Sequence, residues 1–230
     1  MTRITNSRLA GFAFLLYIAT GISSMILSGK ILGPSSDAAG KLAHLAQHEG
    51  LARVLVLLTL PQFASAVVLG VTLYALTRDE DHDVALLAMS CRLIEGAIGA
   101  MAAVYAWGKV NIAAGMANGG DPAVLAPILD AHLRLTAGTA VIPAFCFAVG
   151  SLIFCHLFLR ARTIPRWLAW LGVFASALLV VQLPVTILGA IQGAVEFAIW
   201  LPMLVFELVF AFWLMIKGVA APARELSAGA

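Results

Sequence analysis

The chain has 230 residues, 62% of them hydrophobic, and a mean hydropathy of +0.99, while only 11% are Asp, Glu, Lys or Arg. A soluble domain carries about 25% charged residues, so the composition excludes a soluble globular enzyme and a disordered protein. The net charge of +2, without a basic patch, excludes a nucleic-acid partner.

What remains is an all-α, polytopic membrane helix bundle. A span takes about 20 apolar residues, so residues 1–230 accommodate about six spans as a single membrane domain, with the lipid bilayer as partner. Arg3 and Arg8 precede an apolar run from Leu9 to Leu27. That run is longer than a signal-peptide core and lacks a small-x-small cleavage signal, so 8–28 reads as a retained first span. Further spans are predicted over 54–77, 84–108, 135–159, 167–189 and 197–216.

Two longer loops carry short helices, both predicted as extracytoplasmic surface helices. Gly33-Pro34-Ser35-Ser36-Asp37 is a turn that caps a helix over 37–48. Asn118-Gly119-Gly120-Asp121-Pro122 places Asp at an N-cap and Pro at the first helical position, ahead of an amphipathic helix over 123–134. Cys91, Cys146 and Cys155 all lie in apolar runs, an odd set that makes no disulfide framework.

Orientation follows from the basic residues. With both termini cytoplasmic, the inner side holds Arg3, Arg8, Arg78, Arg160, Arg162, Arg166, Lys217 and Arg224, and the outer side Lys30, Lys41, Arg53, Lys109 and Arg134. The clearest element is the short loop bearing Arg160, Arg162 and Arg166, because short loops are where the positive-inside bias operates. Trp167 and Trp170 beside that loop, and Trp213 before Lys217, are interfacial anchors of the same side.

Charges inside spans are the informative exceptions. Counting from the cytoplasmic helix ends, Arg92 lies about 12 Å deep, Glu95 about 16 Å and Glu207 about 14 Å, in hydrocarbon about 30 Å thick. Each such charge costs about 2.5–3.5 kcal/mol at a helix centre, which argues against lipid exposure. Arg92, Glu95, Gly96, Gly99, Ala102, Ala103 and Ala106 repeat at helical spacing as one polar and small face, while Ile94, Ile98 and Met101 lie opposite. Arg92 and Glu95, three apart, can pair, which leaves one carboxylate without a formal partner.

Intramembrane ionisable residues mark ligand or proton sites. Arg92, Glu95 and Glu207, with Gln62 near the midplane of its own span, are therefore the candidate ligand-binding or proton-exchange residues for a small or lipophilic molecule. Arg92 would balance charge or hold an anionic group, and Glu95 or Glu207 would carry the exchangeable proton. The competing reading is a non-enzymatic sensor or partner protein whose polar clamp only fixes helix packing. A homo-oligomer would supply what one chain lacks for transport.

No cofactor is expected. A bis-histidine haem lacks its second ligand, because His132 and His156 would lie about 36 Å apart on one helix and no other span contains a histidine. His44 and His48, four apart and followed by Glu49, form with His132 a weak metal candidate outside the membrane, which is the least favoured reading. No G-x-S-x-G, C-x-x-C or phosphate-binding glycine loop argues for an enzyme.

Several stretches carry a family resemblance. Leu73-Tyr74-Ala75-Leu76, an inner loop, then Ala85-Leu86-Leu87-Ala88 and Arg92-Leu93-Ile94-Glu95 resemble the bacterial membrane proteins grouped as domain of unknown function 4386. So do Asp130-Ala131-His132, Ile164-Pro165-Arg166-Trp167-Leu168 with Gly172, and Pro202 through Glu207 to Trp213 and Lys217-Gly218. The resemblance implies a multi-helix integral membrane protein, here of a bacterial cytoplasmic membrane, and no particular activity.

Overall fold

A computed structural model describes residues 1–191 and 193–220; Arg224, counted above among the inner basic residues, lies outside them. The described residues form nine α-helices and no strand. In chain order these are α1 (Arg3–Leu32), α2 (Ala38–Gln47), α3 (Glu49–Thr77), α4 (His82–Gly99), α5 (Met101–Ala117), α6 (Pro122–Thr139), α7 (Val141–Ala161), α8 (Arg166–Ile187) and α9 (Ala194–Ile216).

Six helical segments are long and apolar enough to cross a membrane: α1, α3, α4 continuing into α5, α6 continuing into α7, α8 and α9. All six expected spans are present, and the architecture is the all-α polytopic one that the composition requires.

The first and second spans are longer than expected, α1 at both ends and α3 at its start, and two further boundaries differ in an informative way. The third span runs to Ala117 rather than ending at Gly108, and it breaks at Ala100. Gly96 and Gly99 weaken the helix just before the break, since glycine is a poor helix former. A tight i→i+3 bond from Ala103 N to Ala100 O then restarts it. The small-residue face expected to run unbroken from Arg92 to Ala106 is therefore divided, and Ala102 is exposed. The amphipathic helix expected over 123–134 continues to Thr139, because nothing at Arg134 stops it. It breaks where the Thr139 hydroxyl donates back to the carbonyls of Leu135 and Thr136, a pattern that bends helices.

The chain forms two compact units. The first comprises Met1–Leu16, Ser65–Gly96 and the described part of Val141–Ala230; the second comprises Tyr17–Ala64 and Ala97–Ala140. In the first, α7, α8 and α9 pack in succession through tight turns. A cluster of phenylalanines fills the core: Phe206 stacks on Phe210 at 5.3 Å, and Phe158 and Phe14 meet Phe210 edge-on at 5.4 and 5.7 Å. Gly172 permits this packing, because a Cβ there would lie 2.5–2.6 Å from Cys155 Sγ and the Phe206 ring. At one end of the unit the turn Asp79-Glu80-Asp81 is held by two arginines. Arg3 Nη1 lies 3.2 Å from Asp79, Arg160 Nε lies 2.8 Å from the buried Glu80, and Arg160 Nη1 lies 3.6 Å from Asp81.

In the second unit α2, α5 and α6 pack on one another over Leu42, Leu45, Val110, Ala113 and Leu129. The two turns end and start their helices as the residues dictate. Gly33 stops α1 at φ +65°, and a Cβ there would strike the His44 ring. Asp37 caps α2, its carboxylate accepting from Gly40 N at 3.0 Å, and Asp121 caps α6, accepting from Ala123 N at 2.8 Å. Replacing Asp37 with Ala is expected to cost about 1 kcal/mol of local stability. Hydrogen exchange that speeds up in the first turn of α2, while α5 amides stay protected, is the measurement that checks it.

Candidate functional site

Helix α4 carries Arg92, Glu95 and Gly96 on its buried face and exposes Ile94, as the amphipathic spacing requires. Arg92 is 1% exposed and Glu95 3%. Their side chains pair within the helix, Arg92 Nη1 lying 2.9 Å from Glu95 Oε2. One glycine makes room for the Arg92 stem: a Cβ at Gly70 would lie 3.3 Å from Arg92 Cβ, while Gly150 lets α7 approach α4, where a Cβ would lie 3.0 Å from Cys91 Cβ and 3.2 Å from the Ala88 carbonyl oxygen. Phe147 of α7 places its ring centroid 4.9 Å from the guanidinium carbon, a cation–π contact. Phe147 in turn stacks on Trp200 of α9 at 6.1 Å.

Glu207 of α9 is buried in the same unit, 7% exposed. The charges of Arg92 and Glu95 both act on it. Among the described residues, its Oε1 accepts no hydrogen bond. The cluster thus combines one cation and two carboxylates from α4 and α9 in an apolar interior. Cys155 of α7, fully buried, also feels the charges of Glu207 and Arg92. The third and sixth spans therefore contribute their charges to one neighbourhood.

Gln62 belongs to the second unit, where its amide nitrogen lies 3.7 Å from the Cβ position of Gly21. The weak metal candidates are also in the second unit, and each has another engagement. His48 Nδ1 lies 2.9 Å from His44 O, Glu49 pairs with Arg53 at 2.6 Å, and His132 Nε2 donates to Tyr105 O at 2.8 Å. Among the described residues no three His, Cys, Asp or Glu side chains converge in a metal-binding group.

Lys109 was expected just past the end of the third span at Gly108. The structure extends the helix over it: Lys109 lies inside α5, 7% exposed, and its Nζ donates to Ser28 Oγ at 3.5 Å. The signal was the apolar run that continues past it, Val110, Ile112, Ala113 and Ala114. A long lysine stem packs on such a run while its amine reaches a hydroxyl.

An all-α polytopic membrane protein with a cluster of ionisable side chains inside its first unit is the class that fold and geometry define. The family model "Domain of unknown function (DUF4386)" matches residues 9–218. The chain belongs to that family. No curated protein and no solved structure matches it.

Proposed function

We propose that this multi-pass protein of a bacterial cytoplasmic membrane binds or translocates a small or lipophilic molecule at the Arg92–Glu95–Glu207 cluster, with a carboxyl exchanging a proton. One observation carries the reading. Arg92 is engaged by Glu95 in its own helix, while Glu207, facing the same charges, keeps a buried oxygen without a hydrogen bond among the described residues. A buried acceptor left so is costly, and a proton or a donor group of a ligand would relieve that cost. Arg92 serves as the charge-balancing cation and Glu207 as the exchangeable acid.

Trp200 supplies a built-in reporter, through its stack on the Phe147 that covers Arg92. The part of the tryptophan emission that Trp200→Phe removes is expected to titrate with pH in the wild type and to lose that titration in Glu207→Gln. The same titration in both proteins, or none in either, refutes proton exchange at Glu207. Native mass spectrometry of the purified protein tests the ligand: a bound non-lipid mass should be present in the wild type and absent in Glu207→Gln.

The second reading, a structural clamp, is favoured by the tight seat of Arg92 between Gly70 and Phe147. It predicts that Glu207→Gln alters the melting temperature alone.

A further inference from the structure

The second unit holds a buried cation that the Arg92 cluster does not use. Lys109 is 7% exposed, yet it makes no ion pair among the described residues. The side-chain hydrogen bond it does make there is long, Nζ donating to Ser28 Oγ at 3.5 Å. An ammonium has three protons to donate, and a buried charge is costly without a partner of opposite sign.

The unit does not supply that partner. Its acidic side chains are Asp37, Glu49, Asp121 and Asp130, and all are committed elsewhere. Asp37 caps α2 and Asp121 caps α6. Glu49 pairs with Arg53 at 2.6 Å, and Asp130 pairs with Arg134 at 2.9 Å. An ionised Lys109 therefore has to take its countercharge from a bound molecule. A lysine that merely covers apolar surface turns its amine out to water, whereas this one turns it toward Ser28 of α1.

The surroundings define the kind of anion. Ser28 lies about 6 Å before the end of α1 at Leu32, so the pair sits near the end of an apolar span, where headgroups meet hydrocarbon. Ser28 is half-buried, and a Cβ at the adjacent Gly29 would meet nothing within 4 Å, so the hydroxyl has open space beside it. Met25, one turn back on α1, is exposed and offers apolar surface next to that opening. Trp107, two residues before Lys109, is exposed as interfacial tryptophans are. An ammonium and a hydroxyl bordering open apolar surface suit an anionic head joined to a hydrocarbon chain.

We propose that Lys109 and Ser28 hold the anionic head of an amphiphile, with Lys109 supplying the charge and Ser28 donating its hydroxyl proton. The chain of the amphiphile lies on the Met25 side. The head is a carboxylate or a phosphate, and so belongs to a fatty acid or to an anionic phospholipid.

The full-length protein in a neutral detergent is titrated with two pairs of probes, and bound species and melting temperature are read by native mass spectrometry and thermal shift. Oleate against methyl oleate tests the carboxylate, and phosphatidylglycerol against zwitterionic phosphatidylcholine tests the phosphate. Preferential retention of oleate, reduced on the order of tenfold in Lys109→Met, supports the fatty acid. The same result for phosphatidylglycerol supports the phospholipid. Methionine matches the lysine stem and suits a buried site, and Ser28→Ala, which removes only the hydroxyl, should weaken the retained probe roughly fivefold even if Lys109→Met does not fold. Equal retention within both pairs, or a preference for the anion that survives these substitutions, overturns the proposal. Failure here leaves the Arg92 cluster untouched, since no residue is shared.

Discussion

Arg92→Met is expected to destabilise the protein by about 3–5 kcal/mol, the cost of removing one partner of a buried ion pair. The guanidinium is 1% exposed and lies 2.9 Å from Glu95, so its loss strands a buried carboxylate. Glu207 loses the same cation. The Phe147 contact adds up to about 2 kcal/mol, because the cation–π attraction is strongest where the charge is desolvated.

Arg92→Met/Glu95→Met should recover most of the loss, since a buried pair replaced by apolar groups of similar volume is often neutral. Equilibrium unfolding in mixed micelles of the wild type, both single variants and the double variant gives the coupling directly. A loss below about 1 kcal/mol for Arg92→Met would mean that the pair is hydrated like a surface bridge, and the buried cluster would then be wrong.

Gly11→Ala is expected to cost about 1–3 kcal/mol by overpacking. A Cβ at Gly11 would lie 2.6 Å from the Ala211 carbonyl oxygen and 2.6 Å from Met215 Cγ, with Met215 N at 3.1 Å. A flexible methionine can swing away, but the backbone of α9 cannot, so the start of α1 must separate from α9. Close backbone approach at small residues is how helices associate where lipid removes the hydrophobic drive. Gly29→Ala on the same helix is the control: a Cβ there meets nothing within 4 Å, and alanine's better helix propensity should make that change neutral or stabilising by up to about 1 kcal/mol. Opposite signs for two Gly→Ala changes in one helix separate the packing effect from propensity.

The legible parts of this protein were those governed by local chemistry. Asp37 and the Asp121–Pro122 pair announce α2 and α6 because capping needs only a side-chain oxygen and a fixed φ within three residues. Arg92 and Glu95 share a buried face because a spacing of three is a property of any helix. The burial of Glu207 was also foreseeable, since a charge in the middle of an apolar span is costly to leave in lipid. The third span was ended too early, at Gly108, because what lets Lys109 stay in the helix is a partner, Ser28, 81 residues away. The grip of the acidic turn Asp79–Asp81 on Arg3 and Arg160 likewise joins residues far apart in the chain that no local pattern relates.

The amino-acid sequence by itself determined six apolar spans, their caps and the fact that three charges must avoid lipid, because hydropathy, periodicity and desolvation act on short segments. Only the tertiary structure decided that Phe147 covers Arg92, that Gly70 makes room for it, and that Glu80 and Asp81 engage Arg160. Those outcomes come from side chains far apart in the chain meeting at a few ångströms, where packing and the nearest opposite charge, not composition, choose the partner.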